Sequence, residues 1–201
     1  MTQNITENKD GIKIRAAVPD DARGLLDVYA FYVENTSLTF EYTVPSEAEF
    51  RRRIEETLSF YPYLVAVSEK DGEIVGYAYA SPINPRPAYS WNAVLSIYVK
   101  KDMRRSGIGR RLYTALEEIL KAQNFVKSIV HLTLPVDSYS DHNSLQFHER
   151  MGFSFVGQLD NTGYKFGRWY HVVYMDKQIA KPLDNMPDVL PFCEVRERFG
   201  L

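Results

Sequence analysis

The sequence predicts an α+β fold around one mixed sheet. Short runs of alternating apolar and polar residues, such as Ile12 to Ala17 and Tyr63 to Ser68, read as strands, and stretches with apolar residues at helical spacing separate several of them. Asp71-Gly72 marks a hairpin, whereas the later elements run strand, helix, strand, helix, strand, so antiparallel and crossover connections are combined. A length of 201 residues with 45% hydrophobic and 25% charged residues suits one well-buried globular domain and is short for two.

Ile12 to Ala17 is the first strand. Pro19-Asp20-Asp21 then suits a helix start, because proline presets φ and the acidic residues meet the positive end of the peptide dipoles. Leu25, Leu26, Val28, Tyr29, Tyr32 and Val33 recur on one helical face and read as core. Ser37 to Pro45, with Phe40, Glu41 and Tyr42, is too aromatic for an idle connection and is expected to line a site. Ser46 and Glu49 make a capping-box pattern for a second helix through Phe50, Ile54 and Leu58. The hairpin joins Tyr63 to Ser68 and Ile74 to Ala80. Ser81 to Trp91 follows, where Pro82, Pro85 and Pro87 forbid regular pairing and predict a long functional loop. Ala93 to Val99 is a strand, Gly109 to Gln123 a helix, and Ile129 to Leu134 a strand ended by Pro135. Ser144 to Met151 is a short helix with Gly152 as a left-handed cap. Phe153 to Leu159 and Tyr170 to Met175 are the last strands, joined through Gly163 to Trp169, and Pro182 to Pro191 begins an irregular tail.

The most informative junction lies between Ala93 to Val99 and the helix after it. Gly107 and Gly109 flank Ile108 behind a turn carrying Arg104 and Arg105. The first N–H groups of a helix have no intrahelical partner and carry the positive end of its dipole, so an oxyanion placed there is bound by backbone. Glycine lets the main chain close on a phosphate, and Arg104, Arg105, Arg110 and Arg111 add donors and charge. Pyrophosphate binding is the implied chemistry. The third glycine of a dinucleotide fingerprint and the Lys-Ser/Thr of a P-loop are both missing, which lowers those two readings.

A formal net charge of -2 gives no general pull toward nucleic acid or an anionic membrane. Cys193 is the one cysteine, so an internal disulfide and a cysteine-rich metal site are excluded, no metal is expected, and a reducing, cytoplasmic setting fits best. Met1 to Lys13 lacks the apolar core of a signal peptide, and no run approaches the length of a membrane span.

The string Arg104 to Gly109, after a strand and opening a helix, resembles the pyrophosphate loop of the GNAT superfamily of acyl-CoA-dependent N-acetyltransferases. Four more blocks, in order with it, are similar to the phosphinothricin N-acetyltransferase group: Arg86 to Trp91, Ser96 to Val99, Ser144 to Phe153 and Gly163 to Trp169. The likeness runs from about Ile12 to Lys177. It implies the GNAT fold, one central, mostly antiparallel sheet of about seven strands with a splayed parallel pair, flanked by about four helices. The expected organisation is a flexible N-terminus over 1–11, the acetyltransferase domain over 12–178 and a C-terminal tail over 179–201.

The resemblance further implies acetyl-CoA as cosubstrate and direct transfer of its acetyl group, in a ternary complex, to the primary amine of a small amino-acid-like, phosphinothricin-type substrate. Ile97, Tyr98 and Val99 would pair with the pantetheine amides as one strand pairs with another, and Arg104, Arg105, Ser106, Gly107, Ile108, Gly109 and Arg110 would hold the pyrophosphate. Asp141 and Ser144 would face the thiol end, and His148 would protonate the leaving thiolate. Glu41 is the first candidate for a base; Asp141, His142 and His171 are others, beside a water chain to bulk. Arg86, with Tyr89, would bind an acidic or carboxylate-bearing acceptor. Lys165 and Arg168 stand as rim or hairpin charges, and Trp91 and Trp169 as core or dimer contacts, since relatives often form homodimers. Three positions depart from the group's pattern: Val94 where glutamate is usual, Asp141 for asparagine and His171 for aspartate. Val94 favours a non-catalytic acyl-CoA-binding or sensor module as an alternative, and acetylation of protein amines is another.

Overall fold

The structure, a computed structural model, describes residues 10–135 and 143–201. Its sheet has seven strands in the order β1-β2-β3-β4-β5-β7-β6. These are β1 (Ile12–Ala16), β2 (Tyr63–Ser68), β3 (Ile74–Pro82), β4 (Asn92–Val99), β5 (Lys127–Pro135), β6 (Ser154–Lys165) and β7 (Arg168–Gln178). Every neighbouring pair is antiparallel except β4 and β5, which are parallel. The helices are α1 (Ala22–Asn35), α2 (Glu47–Leu58), α3 (Ile108–Ala122), α4 (Asn143–Arg150) and the short α5 (Phe192–Val195). None among the described residues is long and apolar enough to cross a membrane.

The sheet divides the core in two. On one face α1 and α2 bury Leu25, Tyr29, Val33, Phe50 and Ile54 against Tyr63, Val65 and Tyr77. On the other, α3 buries Ile108, Leu112, Tyr113, Leu116, Ile119 and Leu120 against the strands. That helix lays an almost wholly apolar stripe on the sheet, and each fully buried Leu or Ile contributes about 2 kcal/mol. The helix that opens at the glycines is therefore held rigidly, which fixes the direction of its N-terminus.

Four local readings differ from the structure, each for a physical reason. β6 and β7 continue through the Gly163 to Trp169 connection as one long hairpin, because Phe166 and Gly167 both take positive φ (51° and 73°) and close a two-residue turn between Lys165 and Arg168. β3 reaches Pro82, which sits opposite Ala93. Lys100 N–H donates to Val75 O, and the alternation that follows turns the Pro82 backbone away from β4, so its missing N–H costs no ladder bond. Ser46 accepts from the Glu49 N–H as a cap, but the Glu49 carboxylate goes to Arg52 and Arg53 instead of completing the box. The C-terminal segment begins irregularly, yet Phe192, Val195 and Phe199 are buried in the α3 side of the core. Gly152 takes the left-handed conformation (φ 89°) behind α4, as a cap requires.

Candidate active site

β4 and β5 are paired only over Asn92–Lys127, Ala93–Ser128 and Val94–Ile129. Beyond Val94 they part, while β4 stays paired with β3 as far as Val99 and β5 with β7 as far as Pro135. The parting opens a cleft lined by Leu38, Ser96, Ile97, Tyr98, Tyr113, His131, Ser144 and His148. Because Lys100 pairs by hydrogen bond with Val75, the backbone groups of Tyr98 face β3 and those of Leu95, Ile97 and Val99 face the cleft. Those of Val99 are engaged: the Tyr32 hydroxyl donates to Val99 O and accepts from Val99 N–H at 3.3 Å. Of the predicted trio Ile97, Tyr98 and Val99, Ile97 is thus the member whose backbone edge faces the cleft without the Tyr32 contact and can meet an extended ligand.

The loop leading into α3 has Arg105 (φ 64°) and Gly107 (φ 86°) in the left-handed region on either side of Ser106. Alternation of this kind turns successive N–H groups inward as an anion nest. Gly107 caps α3 and a Cβ on it would meet nothing within 4 Å, so its role is conformational and open to ligand. Gly109 is set by packing instead, since a Cβ there would lie 3.3 Å from the Phe147 ring of α4, which would have to shift by a few tenths of an ångström. Arg110 is exposed beside this terminus. Arg104 lays its guanidinium over Phe31 and Tyr32 (5.8 and 5.3 Å to the ring centres), and Arg111 donates to Ile12 O, tying α3 to β1.

His148 is 3% exposed. Its Nδ1 lies 2.7 Å from Ser144 O, an acceptor only, so Nδ1 carries the proton and donates; Nε2 then accepts from the Tyr113 hydroxyl at 3.1 Å. Burial pushes the His148 pKa down to about 4, against a smaller upward pull from its bond to Ser144 O, and the ring is neutral at pH 7. Burial also raises the Tyr113 pKa. The cleft wall therefore holds a neutral histidine and tyrosine pair, not an imidazolium acid. Tyr113 was not singled out from the sequence, although a tyrosine within the otherwise aliphatic stripe of α3 is the signal that could have marked it.

This burial has a consequence for stability. The unfolded chain takes up a proton at His148 below its ordinary value of 6.5, and the folded chain only below about 4, so stability is complete above 6.5 and is lost as pH falls through that window. The loss should be on the order of 3 kcal/mol by pH 4. Denaturant midpoints at pH 7 and pH 4.5 should therefore converge in a His148→Phe variant relative to the parent.

The other predicted residues are distributed. Glu41 lines a second cavity, with Tyr29, Phe50, Arg53, Tyr63, Tyr77 and Tyr79, on the α1 and α2 face of the sheet. Its carboxylate accepts from Arg53 Nη1 at 2.7 Å, so it is engaged by a cation and stands outside the cleft wall. The two cavities are neighbours, for Tyr79 of the second lies opposite Ser96 of the first across β3 and β4. Arg86 and Tyr89 are exposed and line neither cavity; the end of their loop is held by Trp91 Nε1 donating to Pro187 O. Lys165 is no rim charge, being 1% exposed. His171 accepts from the Asn161 N–H beside Asp160 and also lines neither cavity. Val94 occupies the last paired register before the strands part. Asp141 and His142 lie outside the described residues.

A sheet opened at one parallel pair, beside a glycine-capped helix, is an arrangement shared with known proteins. The acetyltransferase (GNAT) domain model matches residues 14–174. The phosphinothricin N-acetyltransferase of Streptomyces viridochromogenes is 31% identical over 184 residues, covering 92% of this chain and 96% of that protein. The L-methionine sulfoximine/L-methionine sulfone acetyltransferase of Pseudomonas aeruginosa is 33% identical over 164 residues, 81% of this chain and 91% of that one. Among solved structures, a GNAT superfamily phosphinothricin acetyltransferase from Sinorhizobium meliloti in complex with AcCoA superposes with a TM-score of 0.78 at 33% identity, covering 90% of this chain and 98% of the other. By fold, cleft and sequence, the chain belongs to the acetyltransferase (GNAT) family and is an N-acetyltransferase.

Proposed function

We propose that the protein transfers the acetyl group of acetyl-CoA to the primary amine of a small amino-acid-like acceptor of the phosphinothricin or methionine sulfone type, by direct attack in a ternary complex. The observation that carries this reading is the parting of β4 from β5 beside the Gly107 end of α3, with Tyr113 and His148 in the cleft wall. Acetyl-CoA lies with its pyrophosphate on the N–H groups of Arg105 to Arg110 and its pantetheine along Ile97. Ser144 lines the thiol end of the cleft. The N–C bond forms as the C–S bond breaks. The amine gives up one proton and the thiolate takes up one, so the Tyr113 hydroxyl, backed by His148 Nε2, relays a proton without net charge on either side chain. The acceptor occupies the side of Ser96 toward Tyr79 and the Glu41–Arg53 pair; Arg86 and Tyr89 are assigned to the outer approach. The exposed Phe155, Val156 and Leu159 on the edge strand β6 support a homodimer through this edge.

The test is release of CoA thiol from acetyl-CoA by the purified protein across phosphinothricin, methionine sulfone, ordinary amino acids, polyamines and short peptides. Rapid release is expected with a compact amino-acid-like amine. No release above the blank without amine, with acetyl-CoA bound, would replace this reading with an acyl-CoA-binding module.

A further inference from the structure

We propose that Lys165, at the end of β6, is a positioning residue that locks the connection between α1 and α2 and so shapes the acceptor side of the site. This rests on the function proposed above. Its ammonium donates to three backbone carbonyls, Val33 O at 2.7 Å, Thr36 O at 2.8 Å and Thr39 O at 2.8 Å. All three N–H donors are used, and the acceptors are carbonyls rather than carboxylates. Val33 lies in the last turn of α1 and Thr36 caps it, so two of the three belong to the end of a helix, where carbonyls lack intrahelical partners and the dipole is negative. A buried ammonium costs several kcal/mol unless its donors are satisfied, and here the helix end satisfies them. Burial still pushes the Lys165 pKa down, partly offset by Glu41.

The same connection is gripped at three further points. Phe40 fills the space over Gly163, where a Cβ would stand 2.0 Å from its ring. The Tyr42 hydroxyl donates to Tyr164 O, and Thr133 Oγ1 donates to Ser37 O at 2.7 Å. The gripped segment places Leu38 in the wall of the cleft, Thr39 against the Tyr29 hydroxyl and Glu41 in the tyrosine-lined cavity. One side chain from a distant hairpin thus sets the partition between the two cavities. Gly107 and the first turn of α3 make none of these contacts, and Arg104 meets α1 at the Phe31 and Tyr32 rings rather than at the locked carbonyls, so loosening the lock falls on the amine and spares the pyrophosphate end of acetyl-CoA.

The test compares Lys165→Met with Gly163→Ala, which displaces Phe40 while keeping the lysine. Hydrogen exchange should show residues 36–42 opening about tenfold faster in Lys165→Met, with the start of α3 unchanged. Both variants should raise the amine KM about tenfold while the acetyl-CoA Kd stays within about twofold. Unchanged protection of 36–42 in Lys165→Met, or an equal loss of acetyl-CoA affinity, would overturn the proposal. Should Lys165→Met fail to fold, Lys165→Gln, which keeps a neutral donor for part of the carbonyl set, decides by the same two measurements. Should the parent acetylate no amine, the proposed function fails by itself and the exchange comparison still decides whether Lys165 holds the loop.

Discussion

Gly107→Glu is expected to weaken acetyl-CoA binding by about 100-fold or more, about 2.7 kcal/mol, in a titration of the folded protein. Two effects act together. The φ of 86° at Gly107 is strained for any residue with a Cβ, at a cost of about 1 kcal/mol, which tilts the N–H groups it leads into. The larger effect is electrostatic, because the glutamate carboxylate would compete with the pyrophosphate for the same unpaired N–H groups at the start of α3. Nothing lies within 4 Å of the added Cβ, so the core is untouched and the variant should melt near the parent. Gly107→Ala separates the two effects by carrying the strain without the charge, and should lose only about fivefold, in line with that 1 kcal/mol. Unchanged affinity in Gly107→Glu would remove the phosphate assignment from this loop.

His148→Phe is expected to lower kcat by about 100-fold with the acetyl-CoA Kd held within about twofold. The phenyl ring keeps the packing against Phe147 and Phe153 but deletes the acceptor for the Tyr113 hydroxyl, leaving that buried group without its partner. Tyr113→Phe should act in the same direction, and the double variant should lose less than the product of the two, since the pair works as one unit. Because the His148 pKa lies near 4, the parent should show no limb near pH 6.5 in its rate profile from this ring. A kcat equal to that of the parent in both single variants would end the relay.

Much of the fold was legible because short-range rules decide it. Period-two runs, the Asp71-Gly72 turn, the Ser46 cap and the Gly152 cap are each read from a few neighbouring residues, and each was found where expected. The glycines before α3 were legible for the same reason, since a positive φ is demanded by local geometry. Lys165 was not. A lysine beside Phe166 and Gly167 reads as a hairpin charge, and only the approach of the end of α1, 132 residues away in sequence for Val33, supplies the carbonyls that take it out of water. His148 shows the same limit from the other side: its place on α4 was legible, but its neutral state was set by burial, and its Nε2 partner is Tyr113, 35 residues earlier. Arg86 and Tyr89, read as substrate contacts, are exposed and line neither cavity, which spacing alone does not tell.

The sequence by itself determined the order of strands and helices, the place where a phosphate-binding turn could form, and the family, because these depend on periodicity and on residues within a few positions of one another. Only the tertiary structure decided which backbone edge faces the cleft, that Glu41 is engaged by Arg53, and that His148 is neutral. Those depend on which distant groups meet, and on how far water is excluded where they do.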